Sequence, residues 1–85
     1  MYRIFLNSRS QKELNKLQRD ISQAIKRILL GNLKEDPFSR ALNIKKLQPP
    51  LEGYRLRVGE YRVLFDIEED SILIYSIKHR KDAYR

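Results

Sequence analysis

A chain of 85 residues has room for one domain, spanning 1–85, and no second core. It contains no cysteine, which excludes disulfides and thiolate metal centres and suits a reducing cytoplasm. Its net charge of +7 favours polyanionic partners, nucleic acid foremost, and an apolar content of 41% supports one packed pair of layers.

The N-terminal segment Tyr2–Leu6 reads as a strand. It is too short for a signal sequence or a membrane span, so a soluble, cytoplasmic protein with no membrane association is expected. Ser8 or Ser10 then opens a helix, because Ser8-x-x-Gln11 and Ser10-x-x-Glu13 both fit a capping box. A further box, Asp20-x-x-Gln23, precedes Ile21, Ala24, Ile25, Ile28 and Leu29 at helical spacing. Gly31 is suited to the left-handed position past a helix end. The pattern predicts two helices in a hairpin, or one helix kinked near Arg19–Asp20.

Asp36-Pro37 predicts a short helix over 37–42, and Ile44 to Leu47 reads as extended up to Pro49-Pro50. From Tyr54 onward apolar residues alternate with a period of two, as in antiparallel strands. The fold class expected is α+β: an N-terminal strand, a helical hairpin and an antiparallel meander in one sheet, with the helices on one face.

Gly59-Glu60 suits a two-residue type II′ turn, which sets Val58 opposite Tyr61, Arg57 opposite Arg62, Leu56 opposite Val63 and Arg55 opposite Leu64. Tyr54, Leu56, Val58, Tyr61, Val63 and Phe65 then form the core face. Arg55, Arg57 and Arg62 share the other. Like charges placed opposite each other destabilise a strand pair, and an anion on that face would offset the repulsion. The next hairpin has two readings. A two-residue loop at Glu69-Asp70 aligns Arg62 with Ile77 and brings His79 to the arginines, whereas a three-residue loop ending at Ser71 brings Lys78 and Arg80.

The chain has one histidine and no G-x-S-x-G, P-loop or H-E-x-x-H motif. Asp66, Glu68, Glu69 and Asp70 straddle a hairpin loop and read as a solvated turn, not a metal site. Any reaction would run on cationic side chains, an imidazole and tyrosines, with no metal and no cofactor.

The segment "LEGYRLRVGEYRVLFDIEEDSILIYSIKHRKDAYR" resembles the C-terminal half of toxins of the RelE/ParE superfamily. The resemblance is carried by Tyr54-Arg55 and Tyr61-Arg62 on either side of Val58-Gly59, and by His79-Arg80 followed by Tyr84-Arg85. The upstream order of strand, helical hairpin and "KKL" agrees. It implies a RelE-like fold and, for the RelE branch, metal-independent cleavage of mRNA in the ribosomal A site by attack of a 2′-OH on the adjacent phosphate. The family's basic strand residues fall on Arg55 and Arg57, its arginine after the turn on Arg62, its late arginine on Arg80 and its C-terminal tyrosine on Tyr84. Where the best-known RelE enzymes carry lysines, this chain has Arg55 and Arg57, and arginine does not serve as a base. The base implied is His79, with Tyr84, Lys78, Lys81 or a ribosomal group as alternatives. Tyr84 could also stack on an unstacked base. Lys12, Lys16, Arg19, Lys26, Arg27, Lys45, Lys46, Lys78 and Lys81 would contact RNA phosphates. The partners implied are a cognate antitoxin, encoded beside the toxin in a prokaryotic operon, and the ribosome with its mRNA. The alternatives are a ParE-like inhibitor of DNA gyrase, or an inactive relative that only binds antitoxin or RNA.

Overall fold

The computed structural model of the chain describes residues 1–82. Strand β1 (Arg3–Leu6) leads into helix α1 (Ser8–Asn15) and helix α2 (Arg19–Ile28), which runs on through a π-helical turn at Leu29–Leu33. Strands β2 (Ile44–Lys46), β3 (Tyr54–Val58), β4 (Tyr61–Glu68) and β5 (Ser71–His79) follow. All five strands form one sheet in the order β1-β5-β4-β3-β2, antiparallel except for the parallel pair β1–β5. The α+β fold expected from the sequence is present, with β2 as an additional strand of the meander. Among the described residues, no helix is long and apolar enough to cross a membrane.

The core lies between the helices and one face of the sheet. Leu14, Ile25, Leu29 and Leu33 come from the helical segment, and Leu56, Val63, Phe65, Ile72, Ile74 and Ile77 from the strands. Removing these side chains from water is the main favourable term in folding.

The helix boundaries depart from the sequence reading. The N-cap of α1 is Asn7, not Ser8 or Ser10: its Oδ1 accepts a hydrogen bond from the Ser10 amide at 2.8 Å. Ser10 is fully buried instead, and its hydroxyl donates to the Ile74 carbonyl at 2.8 Å. Glu13, the other half of that capping box, reaches the sheet, where Oε1 accepts from the Ile77 amide at 2.9 Å. Strand β1 pairs with β5 only as far as Ile74, so Ser10 and Glu13 take over the edge beyond it. An edge amide left without a partner would otherwise be costly. Asp20 does not cap α2, whose N-cap is Gln18, but lies in the first turn, where its charge complements the helix dipole.

Gly31 does not end the helical run, because Leu33 beyond it is fully buried and the chain stays helical through Glu35. Residues 37–42 form turns, not a short helix. Asp36 Oδ1 accepts from the Phe38 amide at 2.9 Å and the Ser39 amide bonds back to the Asp36 carbonyl, which closes a single turn. At the first hairpin Gly59 has φ +58°, and Glu60 is not in the left-handed region, as a type II′ turn requires.

Gly53 has φ +93°, and a Cβ there would lie 2.5 Å from the Phe65 carbonyl oxygen and 2.6 Å from Asp66 Oδ1. Gly53→Ala is therefore expected to destabilise by at least about 2 kcal/mol, since the left-handed conformation alone costs ~1–2 kcal/mol. In a domain of this size that lowers Tm by roughly 8 °C or more. Gly31→Ala, with nothing within 4 Å of the new Cβ and a backbone outside the left-handed region, should instead stabilise by ~0.5–1 kcal/mol. Thermal unfolding of the two variants checks both signs.

Candidate functional site

The pairing of β2, β3, β4 and β5 collects cations on the side of the sheet away from the helices. Arg57 stands opposite Arg62, Arg62 opposite Lys78, and Lys45 opposite Arg55. The sequence reading of the first hairpin is thus reproduced pair by pair.

The second hairpin combines features of both readings. Its loop is the two-residue one, Glu69-Asp70, with Glu68 opposite Ser71. Yet Arg62 faces Lys78, the partner expected of the longer loop, because the register shifts by one residue between Leu64 and Phe65. Leu64 pairs with Ser76 and Phe65 with Ile74, so Tyr75 is the extra residue of a β-bulge. The apolar spacing carries a sign of it: Ile72 and Ile74 are two apart, whereas the next core residue, Ile77, is three further on.

The bulge turns His79 away from the arginines. His79 pairs with Tyr61 on the helix side of the sheet, and the two rings meet edge to face at 5.4 Å. Its Nδ1 accepts from the Lys81 amide at 3.3 Å. Lys78 takes its place on the arginine face, and its amine lies 3.9 Å from Glu13 Oε2. Arg80 lies at the hairpin end of this face, where its guanidinium pairs with Glu60 at 2.8 Å. Tyr84 lies outside the described residues.

No helix covers the arginine face, yet Leu64 and Ser76 on it are only 6% and 5% exposed. On that face Arg55 stands opposite Leu64, and Arg62 lies two residues before it on β4. Those arginines are only half-exposed, while Arg57 is open to solvent. Arg55 Nη2 reaches Asn43 Oδ1 at 3.5 Å and Arg57 Nε the Gly59 carbonyl at 3.4 Å, both long contacts. Arg55 Nε and Arg62 Nη1 are buried and have no hydrogen-bond partner. Among the described residues none of the ion pairs involves Arg55, Arg57 or Arg62. A buried donor without an acceptor costs about 1–3 kcal/mol. An anion with several oxygens would satisfy these donors and offset the repulsion between Arg57 and Arg62.

The other basic residues are dispersed. Lys12, Lys16, Arg19, Lys26 and Arg27 are exposed on α1 and the segments after it, in the layer opposite the arginine face. Lys46 pairs with Tyr54 and alternates to the helix side, unlike its neighbour Lys45. Lys81 is exposed just past β5. Among the described residues, no group of three His, Asp or Glu side chains could hold a metal ion. Glu13, Asn43 and Tyr75 were not singled out in the sequence as contributors to the site. Only Tyr75 leaves a sequence trace, the broken isoleucine spacing.

A family model for the ParE toxin of type II toxin–antitoxin systems matches residues 4–84. Toxin RelG of Mycobacterium tuberculosis is 29% identical over 87 residues, covering 99% of this chain and 97% of that protein. Toxin RelE3 of Methanocaldococcus jannaschii is 40% identical over 43 residues, a match spanning about half of each protein, 51% of this chain and 49% of that one. Among solved structures, the RelBE2 toxin–antitoxin complex of Mycobacterium tuberculosis superimposes with a TM-score of 0.81 at 28% identity, covering 93% of this chain and 98% of that chain. The RelB–RelE complex of Methanococcus jannaschii gives 0.78 at 28% identity, covering 94% of each.

If Arg57 and Arg62 repel each other across the hairpin, removing the exposed partner should stabilise the fold. Arg57→Gln is expected to gain ~0.2–1 kcal/mol at low ionic strength, the range of a cross-strand pair, and the gain should shrink as salt screens the charges. Urea unfolding at two salt concentrations measures it.

Proposed function

This chain belongs to the ParE toxin family of type II toxin–antitoxin systems, and we propose that it cleaves messenger RNA on the ribosome through its arginine face. It is a toxin of RelE/ParE type. The observation that carries the RNase reading is the row of Arg55, Arg57, Arg62, Lys45 and Lys78, in which, among the described residues, no carboxylate pairs with the three arginines and two buried guanidinium nitrogens lack partners.

In the proposed reaction a ribose 2′ oxygen attacks the adjacent phosphorus. The 2′-O–P bond forms, the P–O5′ bond breaks, and the products are a 2′,3′-cyclic phosphate and a 5′-OH. Negative charge builds on the non-bridging oxygens as phosphorus becomes five-coordinate. Guanidinium groups already fixed around that position stabilise this charge without reorganisation. Arg55 and Arg62, each with a buried nitrogen that lacks a partner, supply donors, and the exposed Arg57 closes on the phosphate from β3. Lys78, across from Arg62 and steadied by Glu13, is placed to give a proton to the departing 5′ oxygen. The three arginines cannot accept the proton of the 2′-OH, and with Lys78 serving as the acid it passes to Lys81, Tyr84 or a ribosomal group. His79, on the helix side, is not beside the phosphate in this geometry.

The exposed cations Lys12, Lys16, Arg19, Lys26 and Arg27 lie on the opposite layer and contact ribosomal RNA in this reading, which positions the enzyme without reading sequence. The proposed second partner is a cognate antitoxin, as in the toxin–antitoxin complexes of similar fold.

Arg62→Ala is expected to slow single-turnover cleavage of ribosome-bound mRNA by ~10²-fold or more, as for removal of one transition-state donor. His79→Gln should stay within about threefold of wild type, well short of the ~10²–10⁴-fold expected for loss of a positioned base. Full activity of Arg62→Ala would contradict the arginine-face mechanism. Intact mRNA with double-strand DNA breaks in expressing cells would assign the gyrase-directed activity instead.

A further inference from the structure

The helix-free side of the sheet has a second region beside the cations. Phe5, Leu51, Leu73 and Tyr75 line an open cleft of about 690 Å³, with Glu52 and Asp66 at its rim. Phe5 stands opposite Leu73, and Leu73 opposite Asp66, so the cleft shares the face of Arg62 and Leu64. Two of its apolar walls are open to water, Phe5 at 48% and Leu51 at 46% exposure. The wall carrying Leu51 is fastened down, because the Tyr75 hydroxyl donates to the Glu52 carbonyl at 2.8 Å.

The face is therefore divided by charge. Toward the Gly59-Glu60 turn it carries Arg55, Arg57, Arg62 and Lys78. At the other end it carries aromatic and aliphatic walls with two carboxylates. Along β4, Arg62 and Asp66 are separated by roughly 13 Å at strand rise, within reach of the nucleotide next to one whose phosphate the arginines hold. We propose that this cleft takes an unstacked base of the RNA strand cleaved on the arginine face. The inference rests on the RNase reading and adds the base to the phosphate.

A single ligand satisfies both halves. Its phosphates are drawn to the arginine end and repelled from the cleft by Glu52 and Asp66. Its base offers an apolar ring face to Phe5 and Leu51, and amino groups to the carboxylates. Stacking on aromatic side chains tolerates any base, because every base has a π-face. An anionic peptide would meet the same carboxylates as a repulsion along its length.

The test measures binding of the full chain to two single-stranded hexanucleotides at low salt. Both are 2′-O-methylated, which removes the attacking hydroxyl; one carries adenines and the other is abasic at every position, with the same phosphates. Wild type should bind the adenine oligomer at least about tenfold more tightly, within the range of one stacked base. Phe5→Ala and Leu51→Ala, both at exposed positions, should lose most of that difference and leave the abasic affinity unchanged. Arg62→Ala should weaken both oligomers. Retention of the full adenine preference by both cleft variants overturns the base site, whether or not a protein partner covers the cleft. Unchanged binding of both oligomers by Arg62→Ala overturns the phosphate reading beneath it.

Discussion

Between Ile74 and Ser76, strand β5 carries one residue more than the stretch of β4 it pairs with. Side chains alternate along a strand, so this one insertion exchanges the faces of everything after it. Without it, the two-residue loop at Glu69-Asp70 would set Ile77 against Arg62 and His79 among the arginines. With it, Ile77 enters the core opposite Val63, Lys78 completes the cationic row, and His79 packs on Tyr61. The shifted segment is also where β5 has lost β1 as a neighbour. Glu13 holds its edge, accepting from the Ile77 amide with one oxygen and facing the Lys78 amine with the other. One acidic side chain on α1 thus couples the helical layer to the arginine face.

The arginine row is maintained against its own electrostatics. Arg57 and Arg62 are opposed across the hairpin, no described acid compensates them, and Glu60, the nearest acid of the turn, is taken by Arg80. Leu64 and Ser76 are buried on the same face, with Arg55 across from Leu64 and Arg62 two residues before it on β4. Arg55 Nε and Arg62 Nη1 are buried without a hydrogen-bond partner. The oxygens of an anion would satisfy both donors.

Much of this was legible in the chain. The period-two pattern and the glycine turn gave the first hairpin residue for residue, because a two-residue loop leaves no freedom of register. The resemblance of the Tyr-Arg and His-Arg segments to RelE/ParE toxins agreed with the family match and with the fold. The local cap rules did less well. Ser10 and Glu13 fit a capping box, but both are drawn to the sheet edge, where unpaired amide and carbonyl groups compete more strongly for them. Gly31 looked like a stop, but burial of Leu33 carries the helix past it. The site of His79 depended on a bulge that only the uneven spacing of Ile72, Ile74 and Ile77 betrays, and local sequence rules do not weigh such spacing against loop length. The apolar cleft had no sequence signature at all. Phe5, Leu51, Leu73 and Tyr75 come from three separate parts of the chain and meet only in the sheet.

The central claim is that the arginine face stabilises a phosphate attacked by its own neighbouring 2′-OH. It is tested most directly by presenting ribosomes with an mRNA carrying a single 2′-deoxynucleotide at the cleaved position. The account predicts that the all-ribose message is cut to a 2′,3′-cyclic phosphate and a 5′-OH, and that the deoxy message is not cut at that bond. Cleavage of the deoxy message at the same bond and rate would contradict it, because the nucleophile would then come from elsewhere.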